Sequence, residues 1–157
     1  MKFAIGSTKA GLTLKEAVIR QLESLGHSVD DLGMKRDGEF VPYYTAAANV
    51  ARAVSEGKYE KAIIICGTGA GSVIVANKFK GVYAVHASSE FEASRAQIVN
   101  DANVLCLGEW VTPPQHGESI VSAWLNAEFG EGFEPQWVDF LRNGTEEVKI
   151  IDEQNRK

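Results

Sequence analysis

Residues 63–81 read IIICGTGAGSVIVANKFKG. Three isoleucines run into Cys66, and Gly67, Gly69 and Gly71 then alternate with small residues before an apolar stretch with helical spacing. An unbroken β-branched run that ends at glycine predicts a strand buried on both faces. The glycine turn leads straight into a helix, which makes the stretch half of a β–α–β unit. KAIIIC (61–66) is the most apolar strand candidate in the chain and is expected at the centre of the sheet.

The same alternation continues in both directions. KFAIG (2–6) predicts a short buried strand, and 12–26 a helix with Leu14, Val18, Leu22 and Leu25 on one face and Gly26 as its stop. HSVDDLG (27–33) predicts the second strand, followed by a polar loop closed by Pro42 and an alanine-rich helix over 45–57. Beyond the central strand come a helix over 71–79, a strand over 82–86, and a helix capped by Ser88 with Glu90 in its first turn. A fifth strand over 102–108 and a fifth helix over 116–129 follow, and the remainder reads as a polar C-terminal helix or arm. Strands and helices in this order predict an α/β fold: a Rossmann-like, doubly wound, parallel five-stranded sheet with helices on both faces. In such sheets ligands bind outside the carboxyl ends of the strands, near the reversal of strand order. The candidate site is therefore built from Gly6-Ser7-Thr8-Lys9, Cys66-Gly67-Thr68-Gly69, His86-Ala87-Ser88 and Gly108-Glu109-Trp110.

Composition narrows the function. With 45% hydrophobic and 24% charged residues in 157, the chain is neither disordered nor fibrous. A net charge of −5 argues against a nucleic-acid or anionic-membrane surface. The apolar runs are too short to span a bilayer, and MKFAIGSTKAG lacks a signal-peptide layout. Cys66 and Cys106 show no metal-ligand spacing, so free thiols in a reducing cytoplasm are expected, with no metal and no cofactor.

The turn at 67–71 brings backbone N–H groups toward one point, a cradle for an anion or for an oxyanion that develops during reaction. Its glycine spacing is not that of a dinucleotide-binding turn, it follows the third strand rather than the first, and it lacks the P-loop lysine, which disfavours a nucleotide. A helix beginning beside Cys66 favours its thiolate, and a thiolate at an oxyanion cradle serves as nucleophile or as base for a carbon-bound proton. The alternative is that Cys66 is a small apolar residue finishing a buried strand, the reading preferred for Cys106.

Cys66–Gly71 (CGTGAG), Val75-Ala76-Asn77-Lys78, Asn100-Asp101-Ala102-Asn103-Val104 and Gly6–Gly11 resemble, in the same order, motifs of the ribose-5-phosphate isomerase B / galactose-6-phosphate isomerase family. The resemblance covers residues 1–130, which would form the isomerase domain, with 131–157 an arm packing on the body or a partner subunit. It implies a metal-free aldose–ketose isomerisation of a sugar or sugar phosphate through a cis-enediol. Cys66 would move the proton between C1 and C2, Thr68 would assist protonation at oxygen, and the backbone from Gly67 through Gly69 and Gly71 to Ser72 would hold the enediolate. Asn100 would reach the sugar from the partner subunit, so a homodimer or tetramer with sites at the interface is expected.

The chain departs from that family in a consistent way. Thr8-Lys9 stands where members have Asp-His, and Val99 stands where members have the histidine linked to opening the sugar ring. Trp110, Phe133 and Trp137 occupy positions where phosphate-binding arginines are usual. Arginine holds phosphate through paired charge-assisted bonds that no aromatic ring replaces, whereas aromatic faces suit the C–H side of a sugar or an apolar cap. Lys9 remains as a possible cationic contact, and His86, at the end of the fourth strand, as a stand-in for the missing histidine. Two readings follow: an isomerase with an altered substrate, or a sugar-binding or regulatory paralogue that has lost turnover. Retention of both Cys66 and Thr68 favours the first.

Overall fold

In the computed structural model, which describes residues 1–156, KAIIIC is strand β3 (Lys61–Cys66) and lies third of five across the sheet. β1 (Lys2–Ser7) and β5 (Val104–Gly108) flank it, and β2 (Ser28–Asp31) and β4 (Ala84–His86) form the edges. Every pairing is parallel. The order β2-β1-β3-β5-β4 means the chain steps outward from β1 to β2 and then returns to the other side of β1. That reversal places the switch point between the carboxyl ends of β1 and β3, at Ser7 and Cys66.

Strand alternation divides the core. Ile63 and Ile65 pack with Leu14, Val18 and Leu22 of α1 (Leu12–Ser24) and with Ile120 and Trp124 of α5 (Pro114–Asn126). Ala62 and Ile64 point to the opposite face, against Val50, Ala51 and Val54 of α2 (Tyr43–Ser55). The short α3 (Ala70–Ala76) shares that second face, while α4 (Glu90–Asn100) packs beside α5. Ile63, Ile64 and Ile65 are fully buried, and each such side chain stabilises the fold by about 1.5–3 kcal/mol.

Several element ends fall elsewhere than periodicity predicts. Leu25 is exposed, because it caps α1: the chain closes there, with the His27 N–H bonded to the Leu22 carbonyl. α3 stops at Ala76 because the Asn77 amide both donates to and accepts from the backbone of Ala84, 2.8 Å each way, which fixes the start of β4. Ser89 rather than Ser88 caps α4, accepting the Glu92 N–H, while the Glu92 carboxylate accepts from Ser88 N–H and Oγ. β2 ends at Asp31, yet the Leu32 and Met34 N–H groups still donate to the carbonyls of Ile5 and Ser7.

The segment after β2 is pinned to the top of β1. A Cβ at Gly33 would lie 2.2 Å from the Ser7 nitrogen, so only glycine allows this approach. Beneath it, the buried Lys15 ammonium pairs with Asp31 at 2.8 Å and donates to the Met34 carbonyl. Lys35 pairs with the same carboxylate at 2.8 Å, and the Gly33 N–H donates to it at 3.0 Å.

The C-terminal helix α6 (Pro135–Asn155) buries no residue. Its far end is tied to the body, where Asp152 accepts from the Gly81 N–H and Arg156 donates to the carbonyl of Lys78.

Burial opposes the charge on Asp31, but hydrogen bonds from Lys15, Lys35 and Gly33 outweigh it and hold the carboxyl below its ordinary range. Because the folded value is depressed, its stabilisation is fully present above the unfolded value of about 3.9 and is lost as pH falls through the folded one. Urea unfolding across pH 2–6 should show stability declining below about pH 4. Asp31→Asn should flatten that limb, and an unchanged acid limb in the variant would exclude Asp31 as its source.

Candidate active site

Cys66 is the last residue of β3, and its alternation turns it toward the α2/α3 face. It is 5% exposed, and its Sγ accepts a hydrogen bond from the Gly69 N–H at 3.1 Å. Gly69 adopts φ +83°, the left-handed conformation that turns the chain from strand into α3. The N–H groups of Thr68, Ala70 and Gly71 donate to no acceptor among the described residues. The expected cradle is therefore present as backbone donors; α3, only seven residues long, is shorter than the sequence predicts.

The loop after β5 braces this turn. The Glu109 and Trp110 N–H groups donate to the carbonyls of Cys66 (3.0 Å) and Gly67 (2.9 Å). Gly108 lies so close to Thr68 that a Cβ on it would meet the Thr68 carbonyl carbon at 2.4 Å. The Glu109 carboxylate in turn accepts the Leu14 N–H at 2.9 Å, joining the loop to the first turn of α1. Sequence reasoning placed Glu109 among the strand-end residues but gave it no role, because its partner lies 95 residues away and leaves no local signal.

Above the cradle is a cleft of about 480 Å³. Thr8, Cys66, Gly67, Thr68, Gly71 and Trp110 all line it, as expected of site residues. The Trp110 ring covers Gly67 and the Tyr43 ring covers Gly71: a Cβ at either glycine would meet its ring at 2.7 Å. Phe40, Pro42 and Tyr44 complete an aromatic wall that the sequence reading left unassigned. No residue lining the cleft carries a formal charge. Lys9 is exposed beside Thr8, outside the lining, and Ser72 is buried in the first turn of α3.

The other candidates lie apart. Asn100 and Val99 line a second cleft of about 440 Å³, between the end of α4 and Phe140 and Leu141 of α6. Phe133 and Trp137 are exposed, the latter packed edge-on against Phe140. A single chain does not bring Asn100, Phe133 or Trp137 to Cys66. His86 does not line the Cys66 cleft but packs behind the cradle against Gly69, so the sequence expectation of it as a ring-opening histidine finds no support. His27 is half-buried against Phe3, and His116 pairs with Glu90. Cys106 is fully buried, and burial pushes its thiol far up, with the neighbouring Cys66 adding to the effect, as a structural cysteine requires.

This fold and this site have close counterparts. A 4-deoxy-4-sulfo-D-erythrose isomerase of Clostridium sp. is 38% identical over 153 residues, covering 98% of this chain and 96% of the relative. A D-erythrulose-4-phosphate isomerase of Pectobacterium atrosepticum is 37% identical over 132 residues, covering 84% of this chain and 87% of the relative. Among solved structures, ribose-5-phosphate isomerase B of Clostridium thermocellum superposes with a TM-score of 0.87 at 34% identity, covering 98% of this chain and 99% of that one. Residues 3–140 match the profile described as Ribose/Galactose Isomerase, which spans every strand and the cradle. The chain belongs to the ribose/galactose isomerase family.

Proposed function

We propose that this protein is an aldose–ketose isomerase in which Cys66 is the base, acting on a short open-chain sugar with an anionic group at its end. The observation that carries the reading is the Cys66 sulfur, held by the Gly69 N–H at the floor of the switch-point cleft. The thiolate takes the proton from the carbon beside the carbonyl, which leaves a cis-enediolate. The protonated thiol returns it to the adjacent carbon, and Thr68 passes the oxygen-bound proton. The unpaired N–H groups of Thr68, Ala70 and Gly71 offset the charge that gathers on the enediolate oxygen. No metal or organic cofactor takes part in these steps.

Substrate choice follows from the cleft's neutrality. A phosphate brought there finds no guanidinium in the lining, only Lys9 nearby. Two relatives are named for four-carbon sugars substituted at C4, one by phosphate and one by sulfonate. Such a sugar has no free C4 hydroxyl with which to close a five-membered ring. An enzyme for it needs no ring-opening histidine, in keeping with Val99.

The working unit is a homodimer or tetramer. α6 leaves Trp137, Phe140, Val148 and Ile151 exposed along its length, an apolar surface that a second copy would cover. The same partner would carry Asn100, Phe133 and Trp137 toward the cleft, with residues 131–157 acting as the exchanged arm. Two free cysteines suit a reducing cytoplasm, and no described helix is long and apolar enough to cross a membrane.

Three measurements test this reading. Cys66→Ala should lower kcat about 10²–10⁴-fold while thermal unfolding and ligand binding stay near wild type; turnover within a few-fold of wild type would end the assignment. In a panel of D-erythrulose 4-phosphate, its 4-deoxy-4-sulfo analogue, ribose 5-phosphate and free pentoses, kcat/KM should favour the four-carbon substrates by about tenfold or more over ribose 5-phosphate. The reverse order would make the aromatic replacements structural. Sedimentation should show a dimer or larger assembly, and Trp137→Asp with Phe140→Asp should dissociate it with loss of activity. A fully active monomer would overturn the shared site.

A further inference from the structure

The imidazole of His86 closes the space behind the cradle. A Cβ at Gly69 would lie 2.3 Å from His86 Cδ2 and 2.9 Å from its Nε2, so the ring edge rests against the Gly69 α-carbon. On the other flank the same Cβ would meet the carbonyl carbon of Leu107 at 3.2 Å, so Gly69 is wedged between β4 and β5. The Nε2 is buried and has no hydrogen-bond partner among the described residues. A buried nitrogen without a partner is costly, and packing against the loop is all that the ring gains there.

We propose that His86 is a positioning residue for Cys66, acting through Gly69. This rests on the reading of Cys66 as the isomerase base. Gly69 makes the one hydrogen bond that the Cys66 sulfur receives, and it does so from a left-handed conformation. Glycine is free to leave that conformation, so something outside the loop must hold it. The ring does so by occupying the volume into which the loop would otherwise relax. With the wedge removed, the Gly69 N–H turns from the sulfur and the thiolate loses its donor.

The other titratable groups around the sulfur are few. Cys106 lies below on β5 and is kept as a thiol by burial, and Tyr43 and Tyr44 stand at the start of α2. Lys9 is at the rim, and Glu92 of α4 lies within electrostatic reach of His86. None of them contacts the Gly69 N–H, so the wedge is the control that His86 substitutions isolate.

The test follows the rate of Cys66 alkylation by iodoacetamide against pH, with the adduct located by mass spectrometry. Cys106 is fully buried and does not compete. The midpoint of the profile is read rather than its amplitude, since amplitude also reports access. His86→Ala should raise the midpoint by about one pH unit, a roughly tenfold loss of thiolate below it. It should also lower kcat for D-erythrulose 4-phosphate about tenfold, with KM within about twofold. His86→Phe, which refills the space without a ring nitrogen, should restore both. His86→Val, filling part of the space, should give an intermediate midpoint and replaces His86→Ala if that variant does not fold. A profile for His86→Ala or His86→Val that superposes on wild type overturns the proposal, as does His86→Phe shifting as far as His86→Ala. If wild type fails to turn over D-erythrulose 4-phosphate, the substrate reading falls, while the alkylation profiles still decide the role of His86.

Discussion

At the carboxyl edge of this sheet, loops pack backbone against backbone, and that close approach governs everything built there. Gly33 rests on the Ser7 nitrogen and Gly108 on the Thr68 carbonyl, at separations where a single added carbon would collide. An alanine at either place would have to push main chain, not a flexible side-chain tip, and cores yield poorly to such overpacking. The result is a rigid rim in which the loops after β1, β2, β3 and β5 fix one another. Thr8 and Cys66, brought to adjacent strand ends by the β1–β3 register, inherit that rigidity. So does the Trp110 ring, which lies over Gly67 while the Trp110 backbone N–H donates to the Gly67 carbonyl.

The parts legible in the sequence were those governed by short-range pattern. β3 spans the KAIIIC stretch read from the sequence, because a strand buried on both faces is apolar along its buried length. Cys66 could be singled out because a glycine turn after a central strand marks the switch point whatever the fold's details. Two of the misplaced ends, those of α3 and α4, come from side-chain-to-backbone bonds that periodicity does not encode. Asn77 substitutes for a peptide group at Ala84 and cuts α3 short, and Glu92 moves the cap of α4 one residue along. The aromatic wall was illegible for another reason. Phe40, Tyr43 and Tyr44 lie in a segment whose path is set by Gly33 and the Lys15–Asp31 pair, contacts made far from it in sequence.

Placement of the remaining candidates separates two kinds of inference. Thr8, Gly67, Thr68, Gly71 and Trp110 gather at the thiol because they sit at strand ends, which the sheet itself brings together. Asn100, Phe133 and Trp137 were chosen through family motifs alone, and one chain leaves them around α6. For them the sheet offers no route to Cys66, and the dimer proposed above would supply one, using the unburied length of α6.

Charge balance ties the aromatic replacements to the base itself. A thiolate in a cleft of low polarity is destabilised by any anion brought near, by about 4 kcal/mol for unit charges 4 Å apart at an effective dielectric of 20. In a site rich in arginine the guanidinium groups cancel a phosphate dianion, and the thiolate survives its arrival. Here the lining is uncharged, so on the proposed reading nothing in the cleft would offset a phosphate brought close to a Cys66 thiolate. On the reading proposed above, the charged end of the substrate would sit at the cleft mouth, with its carbon atoms against the aromatic wall. On that reading a sulfonate, with one charge, would be favoured over a phosphate with nearly two. The loss of arginines and the survival of a cysteine base would then be parts of one electrostatic arrangement.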